Sequence, residues 1–149
     1  MADITMNDFQ LDQSYGYIVN RAARRLEYKL LQAFKKNGHD ITPQQWAVLN
    51  RLWQQDGISQ AEIADSTFKN RPVVTRIIDI LEKKGRVVRR RSEQDRRVIR
   101  VYLTPKGREY EEKLVPLAKE VLERGRAGIT DEELEHMTLA LRKIVANHE

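Results

Sequence analysis

Residues 70–107 read NRPVVTRIIDILEKKGRVVRRRSEQDRRVIRVYLTPKG. Apolar residues recur at helical spacing in the first half of this stretch, whereas residues 98–103 alternate as a half-buried strand does. Asn70 can cap the helix, and Pro72 is tolerated in a first turn, where a backbone donor is not needed. The stretch therefore predicts a helix from Asn70 to Gly85, followed by a long β-hairpin with an arginine-rich tip.

Two more helix starts precede this stretch. Residues 42–45 (TPQQ) and 59–62 (SQAE) each place a hydroxyl cap three residues before a Gln or Glu, so we expect the Gln45 and Glu62 side chains to reach back to the cap. They predict one helix from residue 42 to near Gly57 and a short one closing at residues 66–67. Two helices joined by a short turn and followed by a hairpin form the order of a winged helix-turn-helix.

Amphipathic helices flank this module. Apolar residues recur every three or four positions from Leu11 to Phe34, and two later helices open at Thr104 and Thr130. The last of these contains the seam Leu134, Met137, Leu141 and Ile144, which suits helix-on-helix packing. We expect a homodimer built from both ends of the chain, although the same stripe could be buried within one chain.

The expected fold class is mainly α with a small β-hairpin wing. Residues 1–149 are expected to form a single domain. Within it, residues 11–37 and 105–149 would supply dimerisation helices, and residues 42–104 would form the winged helix-turn-helix DNA-binding module.

The positive charge is concentrated in one segment. The chain has a formal net charge of +5, but residues 69–100 contain twelve basic and four acidic side chains, a net charge of +8. The other 117 residues have a net charge of −3. Such focusing favours a polyanionic partner, here double-stranded DNA, over an evenly solvated surface.

Composition excludes several other classes of protein. With no cysteine, the chain has no disulfide, zinc–thiolate site, thiol nucleophile or thiol redox sensor. The motifs HExxH, GxSxG, GxGxxG and Walker A do not occur, so we expect no enzyme, catalytic residue, metal or cofactor. Because no segment approaches 18 consecutive apolar residues, we expect a cytoplasmic protein without a membrane partner.

The predicted recognition helix offers candidate base contacts at its N-terminal end. Arg71 and Arg76 have the fork that pairs with guanine, and Thr75 can bond a base or touch a thymine methyl group. Asn70 stands at the cap beside them. The alternative is a solvated helix face that contacts phosphate at most.

The predicted wing tip offers a second set of contacts. An exposed arginine such as Arg91, Arg96 or Arg97 fits a narrow minor groove, where the negative potential attracts a guanidinium. Asp95 would repel phosphate, so we expect it to pair with Arg97 or Arg96 and orient that arginine before binding. The alternative is an ordinary polar turn.

Three segments together resemble the MarR (multiple antibiotic resistance regulator) family: residues 42–49, residues 74–85, and the wing from Asp95-Arg96-Arg97 to residues 101–107. The resemblance implies a triangular homodimer whose two winged domains bind a palindromic operator, often to repress a neighbouring gene. It also implies release of DNA, in many members, by a small phenolic or lipophilic effector. By position, the resemblance places Arg71, Thr75 and Arg76 in the recognition-helix contact region and Asp95 and Arg97 in the wing motif.

This chain departs from the family pattern in three respects. Arg86 stands where the family usually has an apolar residue, so we expect a more exposed or phosphate-directed wing edge. Pro72 stands where a small hydroxyl residue is common in the family. The lack of cysteine excludes the branch that senses peroxide through a thiol.

The sequence thus predicts a sequence-specific regulator, with a nonspecific or architectural DNA-binding protein as the alternative, and assigns no effector-site residue.

Overall fold

The computed structural model describes residues 10–68 and 70–149; Lys69, which belongs to the basic segment, lies outside the described residues. A short 3₁₀ turn at Leu11–Gln13 precedes α1. The elements are then α1 (Tyr15–Lys36), α2 (Pro43–Gln54), β1 (Ile58–Ser59), α3 (Gln60–Ser66), α4 (Arg71–Lys83), β2 (Val87–Arg91), β3 (Ile99–Leu103), α5 (Pro105–Gly125) and α6 (Asp131–Asn147).

Local capping chemistry sets most helix starts where the sequence predicts them. In each case a side-chain oxygen of the capping residue accepts a hydrogen bond from the backbone N–H of the residue three positions later. The capping residues are Thr42, Ser59, Asn70, Thr104 and Thr130. Each such bond satisfies a helix donor that has no partner within the helix and stabilises the helix by about 0.5–2 kcal/mol.

Two details of these starts differ from the sequence-based expectation. Gln45 does not complete a capping box with Thr42; it is buried, and its side-chain oxygen instead accepts a bond from Lys84 Nζ at 3.5 Å. The first long helix begins at Tyr15, because Leu11–Gln13 forms a separate 3₁₀ turn that ends at the extended residue Ser14.

The three strands form one antiparallel sheet in the order β1-β3-β2. In the wing hairpin Val87 pairs with Leu103 and Arg91 with Ile99, so β2 extends through the arginines at positions 89–91. β1 pairs through Ile58 opposite Val101 and is absent from the sequence-based prediction.

The core lies where α2, α3, α4 and the sheet meet the C-terminal end of α1 and the first half of α5. Its largest fully buried side chains are Phe34, Leu49, Leu52, Ile63, Ile78, Leu81 and Leu114. The mainly helical fold with a β-hairpin wing confirms the predicted fold class. No helix in the described parts of the chain is long and apolar enough to cross a membrane.

The outer helices leave much of their apolar surface uncovered. None of the described residues 131–147 of α6 is buried, and Phe34 is the only buried residue of α1 among those described. Large apolar side chains stand exposed on the outer helices at Tyr15, Ile18, Val19, Leu26, Leu122, Met137 and Val145.

Candidate nucleic-acid interface

One face of α4 is anchored in the core and the other is open. Its buried residues are Val74, Ile77, Ile78 and Leu81. Arg71, Thr75 and Arg76 are exposed, as the helical spacing predicts. Burial of the apolar face therefore presents the three candidate contact residues to solvent from a rigid helix.

Two of the candidate side chains are already hydrogen-bonded within the helix. Asn70 Oδ1 accepts the Val73 N–H at 3.1 Å, and the amide NH₂ group of Asn70 remains as a donor for another partner. The Thr75 hydroxyl donates to the Arg71 carbonyl at 3.0 Å. Thr75 thus offers a methyl group and hydroxyl lone pairs, which suit a thymine methyl group or an amino group on a base edge.

The wing tip is built around Asp95 and Arg97. Asp95 Oδ1 accepts bonds from the backbone N–H and from Nε of Arg97, both at 3.1 Å, and Asp95 Oδ2 accepts from Nη2 at 3.2 Å. These bonds lower the pKa of the Asp95 carboxyl group. Asp95 therefore pairs with Arg97 rather than with Arg96, and the Arg97 side chain remains 92% exposed.

The other tip residues support this arrangement. Arg91 Nη1 donates to the Arg96 carbonyl at 2.9 Å, across the hairpin. Ser92 is buried, and the Asp95 carbonyl accepts the Val98 N–H at 2.9 Å. The tip is thus a hydrogen-bonded loop in which Arg96 and Arg97 extend outward.

Arg86 does not lie at an exposed wing edge, contrary to the expectation from the sequence. Its guanidinium carbon lies 3.6 Å from the ring centroid of Tyr110 on α5. Its Nε is buried and has no hydrogen-bond partner among the described residues. The aromatic ring of Tyr110 attracts the guanidinium, so Arg86 links the winged module to α5 instead of facing phosphate.

The start of α5 lies very close to the turn that contains Arg86. The Thr104 N–H donates to the Arg86 carbonyl at 3.0 Å, and the Trp53 indole donates to the Gly107 carbonyl at 2.9 Å. A Cβ atom placed on Gly107 would lie only 2.1 Å from the Arg86 carbonyl oxygen. Glycine at this position is what allows α5 to approach the winged module.

Other basic residues of the segment also have internal partners. Lys84 Nζ donates to the Asp40 carbonyl at 3.1 Å, and Arg100 Nη1 donates to the Gly57 carbonyl at 3.0 Å. The positive face is therefore smaller than the charge count suggests. The basic side chains that remain exposed on α4 and the wing include Arg71, Arg76, Arg90, Arg91, Arg96 and Arg97.

The sequence predicts no individual role for Arg89, but the structure places it in a cluster of polar contacts. It forms ion pairs with Asp79 and Glu82 of α4, at 2.7 and 3.2 Å, while its Nη2 donates to the Thr75 carbonyl at 2.9 Å. Gln60 of α3 accepts a further bond from its Nε. Spacing along the chain does not reveal this cluster, because its members come from three elements.

The uncovered face of α1 contains a shallow open groove of about 470 Å³, lined by Asp12, Tyr17, Ile18, Arg21, Ala22 and Arg25. Within residues 10–68 and 70–149, no three His, Asp or Glu side chains are grouped so as to hold a metal ion.

A winged helix-turn-helix with an exposed basic helix and a basic wing defines a DNA-binding transcriptional regulator. Residues 41–99 match the model of the MarR family. The chain is 30% identical over 105 residues to the uncharacterized HTH-type transcriptional regulator YkoM of Bacillus subtilis (strain 168), covering 70% of this chain and 68% of YkoM. The chain belongs to the MarR family, which consists of transcriptional regulators and not of enzymes.

Two further relatives span nearly the whole chain. The HTH-type transcriptional repressor MdtR of Bacillus subtilis (strain 168) is 28% identical over 151 residues, covering 99% of this chain and 92% of MdtR. The solved structure of Bordetella bronchiseptica BpsR, whose DNA binding is regulated by 6-hydroxynicotinic acid, superposes with a TM-score of 0.83. It is 25% identical and covers 92% of this chain and 96% of BpsR.

Proposed function

We propose that the protein is a homodimeric repressor that binds a palindromic DNA operator through α4 and the wing. The observation that carries this proposal is the guanidinium fork of Arg97, which two hydrogen bonds to the Asp95 carboxylate hold on an exposed tip. The same module exposes Arg71 and Thr75 on α4. A fork held in place can enter a narrow minor groove, while α4 enters the adjacent major groove.

Each group of candidate residues has its own role in this complex. On α4, Arg71 and Arg76 bind guanine edges or phosphates, Thr75 contacts a base, and the Asn70 amide donates to a nearby phosphate. On the wing, Arg97 and Arg96 enter the minor groove, and Arg91 supports the tip through the Arg96 carbonyl. Asp95 does not touch DNA but orients Arg97.

The homodimer rests on the uncovered apolar faces of the outer helices. Residues 11–37 and 105–149 would pair with a second copy and bury side chains such as Met137 and Leu122, which are 45% and 56% exposed in one chain. Residues 42–104 would form the two DNA-binding modules of a single-domain protomer. A two-fold dimer matches a two-fold operator, with half-site centres about 10 bp apart, one helical turn.

A small aromatic or lipophilic effector is part of the proposal, supported by the regulation of BpsR by 6-hydroxynicotinic acid. A thermal-shift screen of aromatic acids tests it. Stabilisation that is accompanied by weaker DNA binding supports the effector, whereas no stabilisation by any acid contradicts the effector and leaves DNA recognition unaffected.

Selection from random DNA duplexes tests the central claim. A repressor of one operator enriches a palindrome that it binds roughly 10³-fold or more tightly than random duplex, at a stated salt concentration. A nonspecific or architectural protein binds all duplexes with similar affinity, and its affinity for each of them falls steeply with salt concentration. A reporter gene placed behind the selected palindrome then distinguishes repression from activation.

A further inference from the structure

Arg89 lies where the wing, α3 and α4 meet. It belongs to β2, and its side chain is only 19% exposed. Its guanidinium reaches Asp79, Glu82 and the Thr75 carbonyl on α4, and its own backbone N–H donates to Glu82 Oε2 at 3.0 Å. With the bond to Gln60, all three guanidinium nitrogens are engaged by the protein.

These contacts lie on α4 close to the candidate base-contact residues. The Thr75 carbonyl belongs to the residue whose hydroxyl and methyl group face solvent on α4. Asp79 lies one turn further along the same helix. The planar fork of an arginine fixes both distance and orientation when it binds several acceptors, which a lysine does not.

A fixed relation between α4 and the wing matters because the two elements are expected to enter different grooves. Apart from the turn at residues 84–86 and the bonds of Arg89, the two elements are joined through the apolar core that contains Leu81 and Val87, and apolar packing is non-directional. We propose that Arg89 is a positioning residue that locks the wing against α4, so that Arg97 and the Arg71–Thr75 face meet their grooves together. This inference rests on the proposed recognition of an operator.

A direct phosphate contact is the competing role for Arg89, and salt dependence separates the two roles. Each phosphate neutralised by an arginine contributes about 0.9 to the slope of log affinity against log salt concentration. A positioning residue that keeps its charge inside the protein contributes nothing to that slope. Arg97→Ala, which removes an exposed arginine, provides the reference for a lost phosphate or groove contact.

The test measures the affinity of Arg89→Gln for the selected operator and for random duplex, at several salt concentrations. We expect the ratio of the two affinities to fall about tenfold or more, because misaligned contacts weaken specific binding most. The salt slope for random duplex should match that of the wild type. Arg89→Lys should give an intermediate ratio, since it retains the charge beside Asp79 but loses the fork.

Two controls separate positioning from general loss of stability. Leu114→Ala removes a fully buried side chain of α5 and should lower the melting temperature without changing the affinity ratio. Asp79→Asn removes the charged partner of Arg89 on α4. Because the Asp79 side chain is 54% exposed, the variant should remain folded, and it should lower the ratio of operator affinity to random-duplex affinity.

An unchanged ratio in Arg89→Gln and Asp79→Asn would overturn the positioning role, as would a slope reduced by about 0.9 in Arg89→Gln. An equal fall in the ratio for Leu114→Ala would also overturn it. If the wild type itself prefers no duplex, the proposed function fails together with this inference, whereas a specific wild type with an unaffected Arg89→Gln contradicts the inference alone.

Discussion

Both carboxylate oxygens of Asp95 accept hydrogen bonds from the guanidinium of Arg97, at 3.1 Å from Nε and 3.2 Å from Nη2. The pair is only two residues apart in the chain and stands on an exposed tip. Because the arginine is already oriented in the free protein, part of its side-chain entropy is lost before DNA binds. A negative residue in the wing can therefore strengthen the binding of a polyanion.

The substitution Asp95→Asn tests this relationship. Asparagine removes a negative charge near DNA, but it offers a single acceptor oxygen and a neutral, weaker hydrogen bond. We expect operator affinity to fall about threefold to tenfold, measured by fluorescence anisotropy. Tighter binding by the variant would show that charge repulsion from Asp95 outweighs its orienting effect.

The pH dependence of the fork follows from the lowered pKa of Asp95. A carboxyl group with a lowered pKa contributes its interaction above its ordinary pKa and loses it only as the pH falls through the lowered value. The Asp95 carboxyl group should thus be fully ionised from about pH 6 to pH 8. We expect the affinity ratio of wild type to Asp95→Asn to stay constant over that range, and a ratio that declines toward pH 6 would contradict this.

Variants of α4 and of the wing should affect recognition differently. Arg71→Ala and Thr75→Ala should change which bases are tolerated in a selection from random duplexes, at a cost of about 1–3 kcal/mol on the preferred site. Arg97→Ala should weaken binding to most sequences alike. A uniform loss across all duplexes for the α4 variants would indicate phosphate contact only.

Gly107→Ala should destabilise the protein although its position is in the first turn of a helix. The added Cβ would lie 2.1 Å from a backbone oxygen that cannot rotate away, so we expect a loss of about 1–3 kcal/mol in the free energy of unfolding, measured by urea denaturation. Gly16→Ala is the matched control on α1, where the nearest atom lies at 3.7 Å. A control that loses as much stability would exclude the close approach as the cause.

The proposed dimer can be tested on α6. Leu141→Glu places a charge in the seam of Leu134, Met137, Leu141 and Ile144 and should yield monomers in size-exclusion chromatography with light scattering. Leu139→Glu makes the same chemical change on the opposite side of the helix, where the side chain is 48% exposed, and should leave the dimer intact. A wild-type monomer at micromolar concentration would refute the assembly.

Local chemistry explains which parts of the fold could be predicted. The helix starts at Ser59 and Thr130 depend on residues within four positions of one another, and the structure contains both capping boxes. The wing likewise follows from alternation within residues 98–103. The Asp95–Arg97 pair could be predicted because the two residues have opposite charges and lie two positions apart in one short turn.

The remaining features depend on contacts between distant segments. β1 has only two residues and shows no alternation, and its pairing partner Val101 lies more than forty residues away. Arg86 turns toward Tyr110, and Arg89 gathers partners from α3 and α4, which neither spacing nor charge reveals. The sequence therefore predicts which residues face outward on α4 and the tip but not which arginines are bound internally.

Gly107 has a genetic consequence. Every missense change of a glycine codon adds a Cβ atom, and at this position that atom meets the Arg86 carbonyl oxygen whichever residue is encoded. A screen for variants that fail to control a reporter gene should therefore recover many different substitutions at Gly107. It should recover them as readily as changes at the candidate DNA contacts, even though Gly107 is not one of those contacts.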